Sequence, residues 1–258
     1  MNATGRDDHP LPALGCWVNL FEPTVGELVG RAGYDYAMLD MEHSPVTLDR
    51  VLPMVRAVQH GGARALVRVP DGDPRWIGRL MDLGADGAMV PMVESPAEAE
   101  RLARAALYAP EGTRGMAAGI VRGSGYGLDE RYVARCRERF LLLVQIETRR
   151  GVDSAGDIAA VAGIDRVFVG PYDLAGSLGH PAEPDHREVR AAIRGVVRAV
   201  REAGTPLATL PTPSNGARKL LGQGFSTVFS GSDVTMLRQA MVRDVGARAD
   251  DIAGRERR

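Results

Sequence analysis

Lysine is almost missing from this chain: of its 32 Lys plus Arg residues only Lys219 is a lysine, and it lies in a polar helical pattern, not at the end of an apolar run. Imine-forming enzymes need a buried lysine of lowered pKa, so composition disfavours that route. Cysteine is equally scarce. Cys16 and Cys136 lie far apart with no secretory leader, which argues against a disulfide framework and for a reducing compartment. The stretch MNATGRDDHPLPALG carries acids where a signal peptide needs an apolar core. No run reaches the roughly 18 apolar residues of a membrane span, so the expected location is the cytoplasm. Charge of one sign is lacking too, with 33 Asp plus Glu giving a net charge of -1. Without a block of like charge, neither nucleic acid nor a membrane is an expected partner.

What the chain does have is alternation. Eight short apolar runs can be counted, at 14–20, 36–41, 65–69, 87–93, 140–146, 166–169, 206–210 and 226–230. They lack polar alternation, as strands of a parallel sheet buried on both faces must. Helical spacing fills the intervals at 24–31, 47–60, 74–83, 96–106, 151–161, 186–202, 214–221 and 233–247. Thr47, Asp73, Ser95 and Asp233 are the expected start caps, and Gly33, Gly61, Gly84, Gly163, Gly204 and Gly224 the expected stops. Eight strands alternating with eight helices predict an α/β fold, a TIM (β/α)8 barrel forming a single domain over residues 1–258. Flexible tails are expected at 1–12 and 249–258. One stretch, 108–139, is irregular: glycine-dense, then a polar helix over 128–138. Its Gly123, Gly125 and Gly127 follow no strand and do not make a dinucleotide fingerprint.

Barrel chemistry sits where strands end. The second run ends in Asp40, Met41, Glu42 and His43, the third carries Arg68, the fifth ends in Gln145, Ile146 and Glu147, and the sixth runs into Tyr172 and Asp173. Neighbouring strands lie about 4.8 Å apart, so Glu147 and Asp173 can converge on one cation. Two carboxylates with room for water and substrate oxygens suit Mg²⁺ or Mn²⁺. The competing account pairs Glu147 with Arg149 or Arg150 and makes Asp173 a turn cap. Arg68 inside an apolar strand needs a carboxylate, Asp40 or Glu42, or a bound oxyanion. His43 can titrate near neutral pH and suits acid–base work. His9, His60, His180 and His186 receive no role.

The motifs LDMEHSP (39–45), LVRVP with a following DP (66–74), LMDLGADGAMVPMVES (80–95), YAPEGTRG (108–115), LLVQIET (142–148) and VGPYDLAGSLG (169–179) together resemble the HpcH/HpaI aldolase family, over nearly the whole chain. The resemblance implies a metal-dependent pyruvate aldolase that cleaves a 4-hydroxy-2-oxo acid to pyruvate and an aldehyde, in sugar-acid or aromatic-acid catabolism. Glu147 and Asp173 would hold a divalent ion, Mg²⁺, Mn²⁺ or Co²⁺. Gln145, Leu210 and the backbone of Tyr172 and Asp173 would line the pyruvate, and Arg68 would stabilise the developing enolate oxygen. His43, oriented by a carboxylate such as Asp40, would handle the proton of the C4 hydroxyl. Relatives assemble as trimers paired into hexamers, Asp82 of one subunit reaching His43 of the next, with an exchanged C-terminal helix. The alternatives are a CoA-ester lyase of the citrate lyase β-chain type, an oxaloacetate decarboxylase, or a catalytically silent barrel. The CoA form would want a basic surface, and the sequence shows no obvious cluster.

Overall fold

The structure is a computed structural model describing residues 11–255, with side chains through residue 248. Strands β1 (Ala13–Val18), β2 (Tyr36–Asp40), β3 (Arg64–Arg68), β4 (Gly87–Val90), β5 (Leu141–Ile146), β6 (Arg166–Val169), β7 (Leu207–Thr209) and β8 (Thr227–Ser232) pair in sequence order. Every pairing is parallel, and β8 closes onto β1. The predicted TIM barrel is therefore the fold. Helices α1 (Pro23–Arg31), α2 (Leu48–Gly61), α3 (Arg75–Leu83), α4 (Pro96–Ala105), α5 (Tyr132–Arg135), α6 (Arg149–Asp153), α7 (Ala155–Ala159), α8 (Pro171–Ser177), α9 (Arg187–Glu202), α10 (Ala217–Gly222) and α11 (Asp233–Arg255) follow the strands.

Side chains alternate across a strand, so each run feeds two cores. Trp17, Tyr36, Met38, Leu66, Met89, Leu143, Phe168 and Phe229 point inward and fill the barrel. Their neighbours Leu39, Val67, Val90, Val144, Val167 and Val228 point outward and pack under the helices. The inner layer is aromatic and tight: Trp17 lies 5.9 Å from Phe168 and 5.5 Å from Phe229, ring centre to ring centre. A Cβ on Gly15 would strike the Phe229 ring. Gly15→Ala is therefore expected to destabilise the fold by about 1–3 kcal/mol through overpacking, seen as a lower urea midpoint at unchanged slope. At the N-terminal end Arg166 plugs the interior, its guanidinium on the Thr227 and Tyr36 hydroxyls.

Several expectations about the elements need correction. The α2 stop is Gly62, in the left-handed region at φ 102°. Gly61 is still helical, and it packs on the backbone of Glu27, which leaves no space for a side chain. The single helix expected over 151–161 is two, α6 and α7, broken at Ser154, and the helix expected over 128–138 shrinks to α5. Ser95 accepts from the Glu98 amide as a cap should, whereas the Thr47 hydroxyl turns to the Asp49 side chain instead. Helix α8 follows β6 at once; its apolar content is too short to show helical period. Of the expected tails, residues 1–10 and 256–258 lie outside the described residues, and 249–255 continue α11. That helix meets the barrel mainly at β1 and β8 and leaves Met236, Leu237, Met241, Val242 and Val245 exposed.

Candidate functional site

Inward parity at the C-terminal strand ends decides which polar residues meet. Asp40 and Arg68 are paired neighbours in the β2–β3 register, and Gln145 lies two residues before Glu147 on the inward face of β5. Arg68 donates through Nε to Asp40 Oδ1 at 2.9 Å and through Nη2 to Asp40 Oδ2 at 2.8 Å. Its Nη1 lies 3.0 Å from a Glu42 carboxylate oxygen, and its guanidinium stacks 4.4 Å above the Trp17 ring. The ion-pair account of Arg68 is thus correct for both acids, and the bidentate fork fixes the cation at the barrel mouth. Asp40 also accepts from the Asn19 side-chain amide at 2.8 Å and from the amides of Glu42 and His43. Burial pushes the Asp40 carboxyl up, but the hydrogen bonds and charge of Arg68 outweigh it and hold the group below its ordinary value.

Glu147 is treated differently. It is 3% exposed, accepts from the Met92 amide at 2.9 Å through Oε1, and meets the Gln145 side-chain amide through Oε2. Burial first, then the charges of Asp173 and Glu42, push its carboxyl up to about 7. Glu42 is raised as well, by burial and by the charges of Asp40 and Asp173 acting against Arg68. Asp173 stands exposed in the first turn of α8, where negative charge is favoured. Arg149 and Arg150 do not neutralise Glu147; they pair with Glu188 and Glu94.

Asp40 and Glu42 hold the guanidinium, while Glu42, Glu147 and Asp173 lie close enough for their charges to act on one another, an excess of negative charge that a divalent cation would relieve. Two further observations fit a hard ion. The Gln145 Oε1 atom is buried without a hydrogen-bond partner among the described residues. Gly170 leaves a cradle, since a Cβ there would come within 2.6 Å of Glu147 Oε2. Because Gly170 has φ -92°, alanine meets no backbone strain. Gly170→Ala is expected to weaken Mn²⁺ binding at least about tenfold, a cost of roughly 1.4 kcal/mol, with little change in thermal midpoint; calorimetric titration checks it.

The other expected residues sit apart from this group. His43 is 60% exposed in its side chain, and Glu42, at 3.8 Å, is the acid it reaches. Asp82 ends α3 and is held by Arg114 at 2.6 Å, so a single chain does not pair it with His43. Tyr172 is exposed beside Asp173, and Leu210 packs on the inner core just beyond β7. Sequence reading missed Asn19, which was legible as the next inward position after Gly15 and Trp17. It also missed the Met92 amide, which faces Glu147 because Met92 adopts φ 53°. No residue type announces that conformation.

The profile of the HpcH/HpaI aldolase/citrate lyase family matches residues 13–240. The hydroxypyruvate/pyruvate aldolase of Chromohalobacter salexigens is 36% identical over 90% of this chain and 91% of its own. The 5-keto-4-deoxy-D-glucarate aldolase of Klebsiella pneumoniae is 37% identical over 88% of both chains. A crystal structure of a family protein from Burkholderia cenocepacia superposes with a TM-score of 0.89 at 32% identity, covering 96% of this chain and 98% of that one. Fold, strand-end carboxylates and sequence agree: the chain belongs to the HpcH/HpaI aldolase/citrate lyase family and is a carbon–carbon lyase of the aldolase type.

Proposed function

We propose that the chain is a class II pyruvate aldolase, cleaving a 4-hydroxy-2-oxo acid reversibly into pyruvate and an aldehyde. The observation that carries this reading is Glu147, its carboxyl raised first by burial and then by the charge of Asp173, at the same mouth that holds Arg68. Glu147 and Asp173 would hold the ion, Mg²⁺, Mn²⁺ or Co²⁺, which when bound supplies a Lewis acid for the 2-oxo group. Gln145 would orient the pyruvate end, and the first amides of α8, at Tyr172 and Asp173, would meet its carboxylate because a helix start leaves such donors free. Leu210 would pack against the methyl side. Arg68, fixed by Asp40 and Glu42, would face the charge that grows on the enolate oxygen, where a preorganised donor lowers the barrier most. His43 would take the C4 hydroxyl proton, with Asp82 of a second copy orienting its ring. The exposed apolar face of α11 supports a homo-oligomer, a trimer or hexamer built by exchanging that helix. We place the enzyme in the cytoplasm: both cysteines are free, and burial pushes the Cys16 thiol up to about 12, which leaves it inert.

Proton–deuterium exchange at the pyruvate methyl group, followed by NMR after chelation and again with Mg²⁺ or Mn²⁺, tests the reading. Ion-dependent exchange is expected, and an aldehyde panel then names the second product. One observation favours a second reading. Arg190, Arg194, Arg198 and Arg201 line a groove of about 550 Å³ between α9 and α10 that also touches Leu210. Helical spacing gathers there the basic surface that the linear sequence hid. If no ion supports exchange while an acyl-CoA of a hydroxy acid is cleaved, the CoA-ester lyase takes its place.

A further inference from the structure

The irregular segment 108–139 converges on one turn, the end of α3. Arg122 donates to the carbonyls of Leu83 at 2.8 Å and Gly84 at 3.2 Å, a cation where a helix terminus favours one. The Tyr132 hydroxyl donates to the Met81 carbonyl at 3.3 Å. Arg114 donates through Nη2 to Asp82 Oδ1 at 2.6 Å and to the Tyr132 hydroxyl at 2.8 Å. Gly123 packs so closely that a Cβ would strike the Met81 carbonyl and stand 2.7 Å from the Tyr132 hydroxyl.

Arg114 is the unusual member. Its guanidinium lies 4.6 Å from the Tyr108 ring centre and 5.3 Å from that of Tyr132, and its side chain is 1% exposed against 35% for Asp82. Among the described residues its Nε and Nη1 have no hydrogen-bond partner. Burying a half-satisfied cation is a poor way to stabilise a helix end, since an apolar side chain does as well or better. What it does provide is orientation: a cation fixed by two aromatic rings holds the carboxylate by one oxygen. Asp82 and Arg114 also border a cavity of about 400 Å³ that opens beside α3.

We propose that Arg114 is a positioning residue for the aldol step. It holds Asp82 through Oδ1 and leaves the other oxygen to receive the His43 imidazole of a second copy. This rests on the aldolase reading above and assigns the irregular segment a task, that of aiming Asp82. Two rates separate the two ideas: methyl exchange of pyruvate, and condensation of pyruvate with whichever short aldehyde the unsubstituted protein uses fastest. Arg114→Met is expected to lower condensation at least about tenfold more than methyl exchange, about 1.4 kcal/mol of selective loss. In an Asp82→Asn background it should add nothing further, because it acts through that carboxylate. Tyr132→Phe, which keeps the buried charge, should reproduce a smaller version of the same selective loss if Arg114→Met does not fold. Multiplicative losses in the double variant, or equal losses in both rates, overturn the inference alone. Absence of exchange in the unsubstituted protein overturns the aldolase reading and the inference with it.

Discussion

Glu147→Gln is expected to abolish divalent-ion binding and to make the ion-free protein more stable. The amide keeps the shape of the side chain and can still accept from the Met92 amide, so the surrounding backbone has no reason to move. What goes is the charge that binds the ion, and with it the repulsion from Asp173 and Glu42. In the ion-free enzyme Glu147 has a folded-state pKa of about 7 against an ordinary 4.5. The folded state therefore binds the extra proton in that window, and stability falls as pH rises from about 4.5 to about 7, then stays lower. At pH 8 the substitution should remove a penalty of about 3 kcal/mol, taken as an order of magnitude from the shift, and raise Tm by several degrees. At pH 4 the difference should vanish. Thermal melts of both chelated proteins at the two pH values, with Mn²⁺ titrations beside them, check the pair of effects. Undiminished Mn²⁺ affinity would remove Glu147 from the site.

Loss of binding and gain of stability in one substitution is the signature of a residue whose burial serves a ligand. The same logic explains why this part of the site was legible in sequence. Gln145 and Glu147 continue an apolar strand, and Asp40 and Arg68 end two others. Strand period fixes which side such residues face, and closing the barrel brings all inward ends together. Three things escaped that reasoning. The Met92 amide depends on a left-handed backbone at a residue that gives no sign of it. The grip of Arg114 on Asp82 joins positions 32 residues apart through an irregular loop, where no period links them. The arginine face of α9 is dispersed in sequence and forms only when a helix aligns it beside α10. Local pattern placed the chemistry; contacts made by loops needed the fold.

Arg68→Ala should separate ion binding from turnover most sharply. The guanidinium touches neither Glu147 nor Asp173 directly; it holds Asp40 and Glu42. Mn²⁺ affinity is therefore expected to stay within a few-fold, while methyl exchange of pyruvate falls by about 10²–10³, the usual loss when one preorganised oxyanion donor goes. Arg68→Lys should recover little, because an ammonium cannot span both Asp40 oxygens and keep Glu42. A stability cost of about 3–5 kcal/mol accompanies Arg68→Ala, since the buried Asp40 and the partly buried Glu42 lose their partner. Its pH dependence identifies the cause. Arg68 holds Asp40 below its ordinary 3.8, so that pairing stabilises the fold above pH 3.8 and the stabilisation is lost as pH falls through the depressed value. The gap in Tm between the two proteins should thus be wide at pH 7 and narrow toward pH 3. A gap that is the same at both values would mean that Arg68 acts through packing on Trp17, and not through the charge it gives Asp40.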